Sequence, residues 1–296
     1  MLFGYLFIWV SMLVCVIYIT MLERKIMSYI QTRKGPNKVG FLGLATAFAD
    51  ALKLLVKGFG VVSVSSRLLF SFSPLLTVYI LFFVWCLLPL STAYVCSSLG
   101  FLIYLCFNSL NVFSVLGSGW SCNSKYTLLG SIRGASQVIS YEALLLLVLI
   151  FPLALSYSLS FLVFCYFGYW YLLLFFPLSV LFLVVGLAET NRSPFDFSEG
   201  ESELVSGFNT EYGSMEFACL FLGEYGQIVF ICIIWFLLYC STSIFFLNMV
   251  GGILISFSFI LFRSTFPRFR YDLLMNLAWN WGLLLVSIYF LYLLFF

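Results

Sequence analysis

The sequence predicts an all-α polytopic membrane protein of about eight transmembrane helices, with an amphipathic interfacial helix in its first charged loop. Three observations carry that prediction. Only 9% of the 296 residues are charged, fourteen basic and twelve acidic, against about a quarter in a soluble domain. Hydrophobic residues make up 63% and aromatic residues 21%, with 36 Phe, more than the surface of a water-soluble fold of this size could carry. The few charges are also gathered into four loops. The apolar content excludes disorder, and no repeat is present that would build a fibre.

A helix needs about 20 apolar residues to cross a bilayer. Residues 1–22 are uncharged and end at Glu23-Arg24-Lys25. They lack the basic start and small-residue cleavage site of a signal peptide and read as a retained first span. Further apolar stretches run over about 68–90, 97–117, 134–156, 161–188, 217–240, 243–262 and 273–296. The connections near 91–96, 157–160 and 240–243, like both termini, carry no charge. The other four, about 22–67, 118–133, 189–216 and 263–272, hold ten, two, eight and four charged residues, and only Glu142 and Glu224 lie inside spans. With eight spans all four charged loops fall on one side, and a span missed or invented would break that segregation. Lys and Arg mark the side that is not translocated. The chain therefore reads as a single integral membrane domain, 1–296, whose partners sit on the charged side.

The first charged loop is basic, with eight basic residues against two acidic ones. Its RKGPNKVG run is turn chemistry. Beyond it, Phe41, Leu44, Ala45, Phe48, Leu52 and Leu55 share one helical face, while Asp50, Lys53 and Lys57 fall towards the other. Such a segment lies in the membrane interface. Its basic residues either anchor lipid headgroups or form the lip of an opening through which an apolar ligand enters from the bilayer.

The third charged loop is its acidic counterpart, with seven carboxylates and one Arg. Acidic residues contribute little to topology, so orientation does not explain them. Pro194, Gly200, Gly207 and Gly213 break any long helix and predict an irregular loop. A solvated acidic face is the ordinary reading of such a run. Here, however, Phe195, Phe197, Leu204, Val205, Phe208 and Tyr212 interleave with the acids and require burial. Carboxylates packed among aromatics are expected to couple, with raised and mutually dependent proton affinities. That suits proton uptake tied to a nearby event.

Glu142 and Glu224 lie about 12 Å inside their spans at 1.5 Å per residue. An ionisable residue there is costly and marks a proton or ion path, unless it is a protonated structural Glu. Each follows or precedes a Tyr, Tyr141 and Tyr225. Arg263, Arg268 and Arg270 are the natural counter-charges for the acidic loop, with ordinary flanking by basic residues as the competing explanation. The chain contains no His, and its nine Cys show no CxxC spacing. His-ligated haem, His-based acid–base chemistry and a Ser-His-Asp set are excluded. No phosphate loop, dinucleotide fingerprint or metal cluster is legible. The expected chemistry is of protons, an apolar ligand and protein partners, without nucleic acid, a metal site or a redox centre in this chain.

Four segments carry a resemblance: LERKIMSYIQTRKGPNKVG (22–40), GWSCNSKYTLLGSIRGASQVISYE (119–142), AETNRSPFDFSEGESELVSGFNTEY (188–212) and PRFRYDLLMNLAW (267–279). Over essentially the whole chain the sequence resembles the chain 1 family of proton-pumping NADH–ubiquinone oxidoreductase, the membrane-arm subunits beside the quinone site of respiratory complex I. The resemblance implies eight transmembrane helices enclosing the membrane end of a cavity for ubiquinone or a related quinone, the substrate. NADH, FMN and iron–sulfur clusters would belong to partner subunits only, with no cofactor bound covalently here. Peripheral-arm quinone-site subunits would face the charged side and membrane-arm subunits would pack laterally in the lipid bilayer.

Carried over residue by residue, the resemblance implies coupling roles for Glu189, Asp196, Glu199, Glu201 and Glu203 in the loop. Glu142 and Glu224, with Tyr225, would lead into the membrane. Arg24, Arg33 and Asp50 would line the cavity near its entrance. Arg192, Phe195, Phe221, Arg268 and Arg270 would line it as well. Cys122, Gly134 and Ser193 stand where the family pattern has Ser, Ala and Thr, and none of these departures removes a charge. Compact length, high Phe and absent His resemble a mitochondrially encoded member, implying the mitochondrial inner membrane with charged loops on the matrix side, rather than a bacterial cytoplasmic membrane. Two other classes stay open. A stand-alone secondary ion transporter would show internal repeats, and a passive anchor of a peripheral redox complex would tolerate loss of Glu142 and Glu224.

Overall fold

The computed structural model describes residues 2–58, 60, 65–89, 98–198, 200, 204 and 206–295, and no β-strand occurs among them. The first helix, α1 (Leu2–Ile30), continues two turns past the predicted end of its span. Glu23, Arg24 and Lys25 therefore sit on a helix rather than in a loop. The chain then turns through Pro36 and Gly43. Gly43 has φ +78, and a Cβ there would lie 2.2 Å from the Pro36 carbonyl oxygen, so only Gly fits. The Lys25 ammonium closes this turn by donating to the Leu42 carbonyl at 2.6 Å. The amphipathic segment forms α2 (Ala45–Val56). Only its Ala47 is buried, while Leu52, Leu55 and Val56 are exposed, as on a helix lying against lipid.

The next three helices, α3 (Arg67–Cys86), α4 (Gly100–Ser121) and α5 (Lys125–Ser156), pack in sequence order. At 32 residues α5 is about 48 Å long, beyond the roughly 30 Å hydrocarbon layer. Its first three turns carry Lys125 and Arg133 as helix, so only residues 122–124 connect it to α4.

The fifth predicted span, 161–188, is broken. A short α6 (Phe161–Phe167) ends at Gly168, φ +60, and α7 (Phe176–Glu189) restarts with Pro177 in its first turn. Gly releases the chain into a left-handed conformation, and Pro is tolerated only where no helical N–H is needed. Non-helical backbone at membrane depth must be satisfied by neighbouring protein. Here the Tyr169 N–H donates to the Ser241 hydroxyl at 2.7 Å and the Leu172 N–H to the Tyr239 carbonyl at 3.0 Å.

The central helix is α8 (Ser214–Tyr239), which packs against α1, α2, α3, α7 and α9 (Phe245–Thr265). The chain ends with α10 (Tyr271–Asn276), which runs through a π-helical turn (Leu277–Gly282) into α11 (Leu283–Phe295). Among the described residues seven continuous helices are long and apolar enough to cross a membrane, counting 271–292 as one, and α7 is a shorter apolar one.

Small residues bring these helices close, as membrane packing requires. A Cβ on Gly226 would meet the Leu81 side chain at 2.5 Å, and one on Gly252 would meet the Ile233 side chain at 2.7 Å and its Cα at 2.9 Å. Because backbone cannot yield, Gly252→Val should force α9 off α8. The expected loss is about 1–3 kcal/mol, read as a lower melting temperature or reduced recovery of the detergent-solubilised protein.

Candidate functional site

The site grows from the ends of α1, α7, α8 and α9 and from the loop that follows α7. Glu23, 5% exposed, accepts a hydrogen bond from the Tyr225 hydroxyl at 2.5 Å and forms an ion pair with Arg263. The Arg192 guanidinium lies over the Tyr225 ring, 4.2 Å from its centroid, and pairs with Glu224 at 3.5 Å. Phe221 extends the aromatic stack, 6.2 Å from Tyr225. Glu23, Arg192, Tyr225 and Arg263 border a cavity of about 20 Å³ that Ile19, Leu187 and Phe259 also line.

Glu224 lines a second cavity of about 20 Å³, together with Thr77, Asn111, Glu189, Asn191 and Gln227. That volume holds one water-sized molecule. The Asn111 amide donates to Gln227 Oε1 at 3.1 Å, and the Asn108 amide donates to Glu189 Oε1. Glu189 ends α7 and is 3% exposed. A series of buried and half-buried polar groups thus runs from Arg263 and Glu23 through Tyr225 and Arg192 to Glu224, which shares the second cavity with Glu189. Glu142 is half-buried on α5.

The loop after α7 is tucked into the helices. Phe195, Phe197, Leu204, Phe208 and Tyr212 are all buried. Gly130 and Gly134 of α5 form its seat: a Cβ on Gly130 would meet the Ser198 carbonyl oxygen at 3.0 Å and the Gly207 Cα at 3.1 Å. Gln137, fully buried, donates to the Ala188 and Phe195 carbonyls at 2.7 and 2.8 Å. Tyr212 stacks on Phe70, centroids 4.2 Å apart, and its hydroxyl bonds Ser121 at 2.9 Å and Ser73 at 3.1 Å. Burial pushes the Tyr212 hydroxyl up to about 12.

The sequence-derived residues separate into groups. Arg192, Glu189, Glu224 and Tyr225 come together in the series just described. Asp196 pairs with Arg268 at 3.4 Å, and Phe195 packs on Phe269 at 5.4 Å. Arg24 pairs with Asp50 at 2.7 Å on the outer surface. Arg33 is exposed. Arg270 reaches Asp272 of its own segment at 2.9 Å, and Arg263 serves Glu23 of α1 instead of the acidic loop. Glu199, Glu201 and Glu203 lie outside the described residues.

Sequence reasoning passed over Glu23, Asn108, Asn111, Gln137 and Gln227. A signal existed for some of them: Tyr104, Asn108, Asn111, Ser114, Ser118 and Ser121 recur every three or four residues in an otherwise apolar span, one face of a helix.

Fold and site together define a polytopic helical membrane protein with paired carboxylates built into its interior. The chain belongs to the NADH dehydrogenase family, whose model matches residues 3–294. It is 43% identical to NADH-ubiquinone oxidoreductase chain 1 of Aedes aegypti, over 94% of this chain and 90% of that one. The protein of the same description from Artemia franciscana is 43% identical, covering 95% and 94% of the two chains, and that from Chondrus crispus 40%, covering 91% and 88%.

Two outcomes follow. Tyr212→Phe keeps the stack on Phe70 but removes the hydroxyl contacts to Ser121, Ser73 and the Ser118 carbonyl, and should expose the loop to limited proteolysis. The Tyr212 hydroxyl titrates higher folded than its ordinary value of 10, so its contribution is complete below that pH and is lost as pH rises towards about 12. In Tyr212→Phe this alkaline loosening of the loop, followed by hydrogen exchange, should disappear.

Proposed function

We propose that this chain is a core membrane subunit of NADH:ubiquinone oxidoreductase, that it lines the membrane end of the quinone cavity, and that it couples quinone reduction to proton movement. The observation that carries the coupling is the series of polar groups from Glu23 through Tyr225 and Arg192 to Glu224, which lines one cavity with Glu189. Reduction of a quinone to a quinol consumes two electrons and two protons. The electrons come from centres in partner subunits, NADH, FMN and iron–sulfur clusters among them. This chain holds and moves protons.

In this reading the acidic loop, with Glu189, Asp196, Glu199, Glu201 and Glu203, responds to the proton demand of the quinone. Arg192 balances Glu224 and can release it, because the 3.5 Å contact is loose and the Tyr225 ring offers the guanidinium a second partner. Glu224 and Glu142 then carry the change inward. Phe195, Phe221 and Arg192 border the inner end of the quinone cavity. Arg24, Arg33, Asp50, Arg268 and Arg270 line its charged approach. Peripheral-arm subunits cover that side, membrane-arm subunits pack laterally, and the setting is the mitochondrial inner membrane with these loops in the matrix.

Glu224→Gln keeps the shape of the side chain and removes its charge. In the assembled enzyme it should lower the proton-to-electron ratio or the quinone reductase rate, and paired Glu201→Gln and Glu203→Gln should do the same. Normal rate and normal pumping in these variants would sink the coupling role. Ion flux catalysed by the purified chain alone would favour a stand-alone transporter.

A further inference from the structure

The last span, α10 through the π-helical turn into α11, commits one face to the rest of the chain. Leu274, Ala278, Gly282 and Val286 are buried. The Tyr141 hydroxyl of α5 donates to the Leu274 carbonyl at 2.9 Å, and a Cβ on Gly282 would meet the Leu144 side chain at 2.9 Å. Outside this contact lies an open groove of about 530 Å³, lined by Phe269, Leu273, Asn276, Leu277, Asn280 and Trp281. Asn276 and Asn280 are exposed, and Trp281 is 75% exposed. Among the described residues neither amide, nor the Trp281 indole N–H, has a hydrogen-bond partner. The other three asparagines on spanning helices are all satisfied within the chain, Asn108 by Glu189, Asn111 by Gln227 and Asn248 by Thr242.

Depth decides what can cover these amides. Arg270 and Asp272, both exposed, mark the charged end of the span. Asn276 lies about 8 Å and Asn280 about 14 Å beyond Tyr271 at 1.5 Å per residue, in a hydrocarbon layer about 30 Å thick. Acyl chains offer no hydrogen-bond donor or acceptor, and a headgroup at the surface does not reach Asn280. A polar group in lipid is costly unless it is hydrogen-bonded, so protein covers this face. We propose that the groove seats one transmembrane helix of a neighbouring membrane subunit, held by hydrogen bonds from Asn276 and Asn280 to amide or hydroxyl side chains on that helix. From Leu273 to Trp281 the groove is about 12 Å long, two helical turns, so those side chains sit three or four residues apart on the partner. Leu273, Leu277 and Trp281 wall the groove and require small residues between them. The π turn over Leu277–Gly282 lies at the groove, as such turns do at functional sites. Such a helix presupposes the reading of this chain as one subunit of a membrane assembly; what is added is the face and the chemistry of the contact.

In the assembled, membrane-embedded enzyme, Trp281→p-benzoylphenylalanine should on illumination give one adduct, with a transmembrane peptide of another subunit that carries such polar residues. Asn276→Leu and Asn280→Leu should each release that subunit about threefold more readily in detergent, and about tenfold together, read from native gels. Because the amides have no partner among the described residues of the chain itself, the melting temperature of the isolated full chain should not fall in either variant. A cross-link to lipid, to a second copy of this chain or to a segment outside the membrane overturns the helix seat. So does unchanged subunit retention in the double variant, or a melting temperature that falls in the isolated chain. Purification of this chain free of any other membrane subunit overturns instead the reading beneath it, that the chain belongs to a membrane assembly.

Discussion

A carboxylate taken out of water must meet a donor inside the protein. Removing an ion from water costs several kcal/mol even after relaxation, and lipid offers no compensation. Every buried acid described above meets that demand with a partner remote in sequence. Glu23 is met by Arg263, 240 residues away, and by Tyr225, 202 residues away. Glu189 is met by Asn108 across 81 residues, and Asp196 by Arg268 across 72. The pairs therefore tie α1 to α8 and α9, α4 to α7, and the acidic loop to the segment between α9 and α10. Helix packing in a membrane is non-specific where it is apolar, so these polar pairs fix which helix faces which. Losing one partner of a buried pair leaves an uncompensated charge, typically costing about 3–5 kcal/mol.

The acidic loop obeys the same demand with its backbone. Irregular chain beside a bilayer survives only where protein satisfies it. Gly130 and Gly134 provide a groove shallow enough for backbone, and Gln137 supplies two hydrogen bonds to it. Phe195, Phe197 and Phe208 fill the space beneath. The interleaving of acids with aromatics is thus a packing arrangement: the aromatics hold the loop down, Asp196 between them meets Arg268, and Arg192 of the loop reaches Glu224 of α8.

Much of this was legible because charge is conspicuous in an apolar chain. Glu142 and Glu224 stand out within hydrophobic runs, and the segregation of loops gives the helix count directly. Glu23 is hidden by the same logic, since beside Arg24 and Lys25 it looks like the flank of a loop. Only the continuation of α1 to Ile30 brings it inside. Neutral amides such as Asn108, Asn111 and Gln227 carry no net charge, so a reading based on charges passes over them although their spacing marks a helical stripe. The break in the fifth span left a trace in Gly168 and Pro177. Mean hydropathy across 161–188 conceals it, because residues on both sides of the break are apolar. A run of 28 residues is also about 42 Å of helix, longer than one span requires.

The break also has a mechanical meaning. The start of α7 is tied to the far end of α8, where Tyr239 and Ser241 hold Leu172 and Tyr169. Glu224 rides on α8 and Glu189 on the other end of α7. The two acids therefore belong to one bracket, closed at its base and open towards the charged ends of the helices. The short helix acts as a fixed strut, and its length sets the depth at which Glu189 sits.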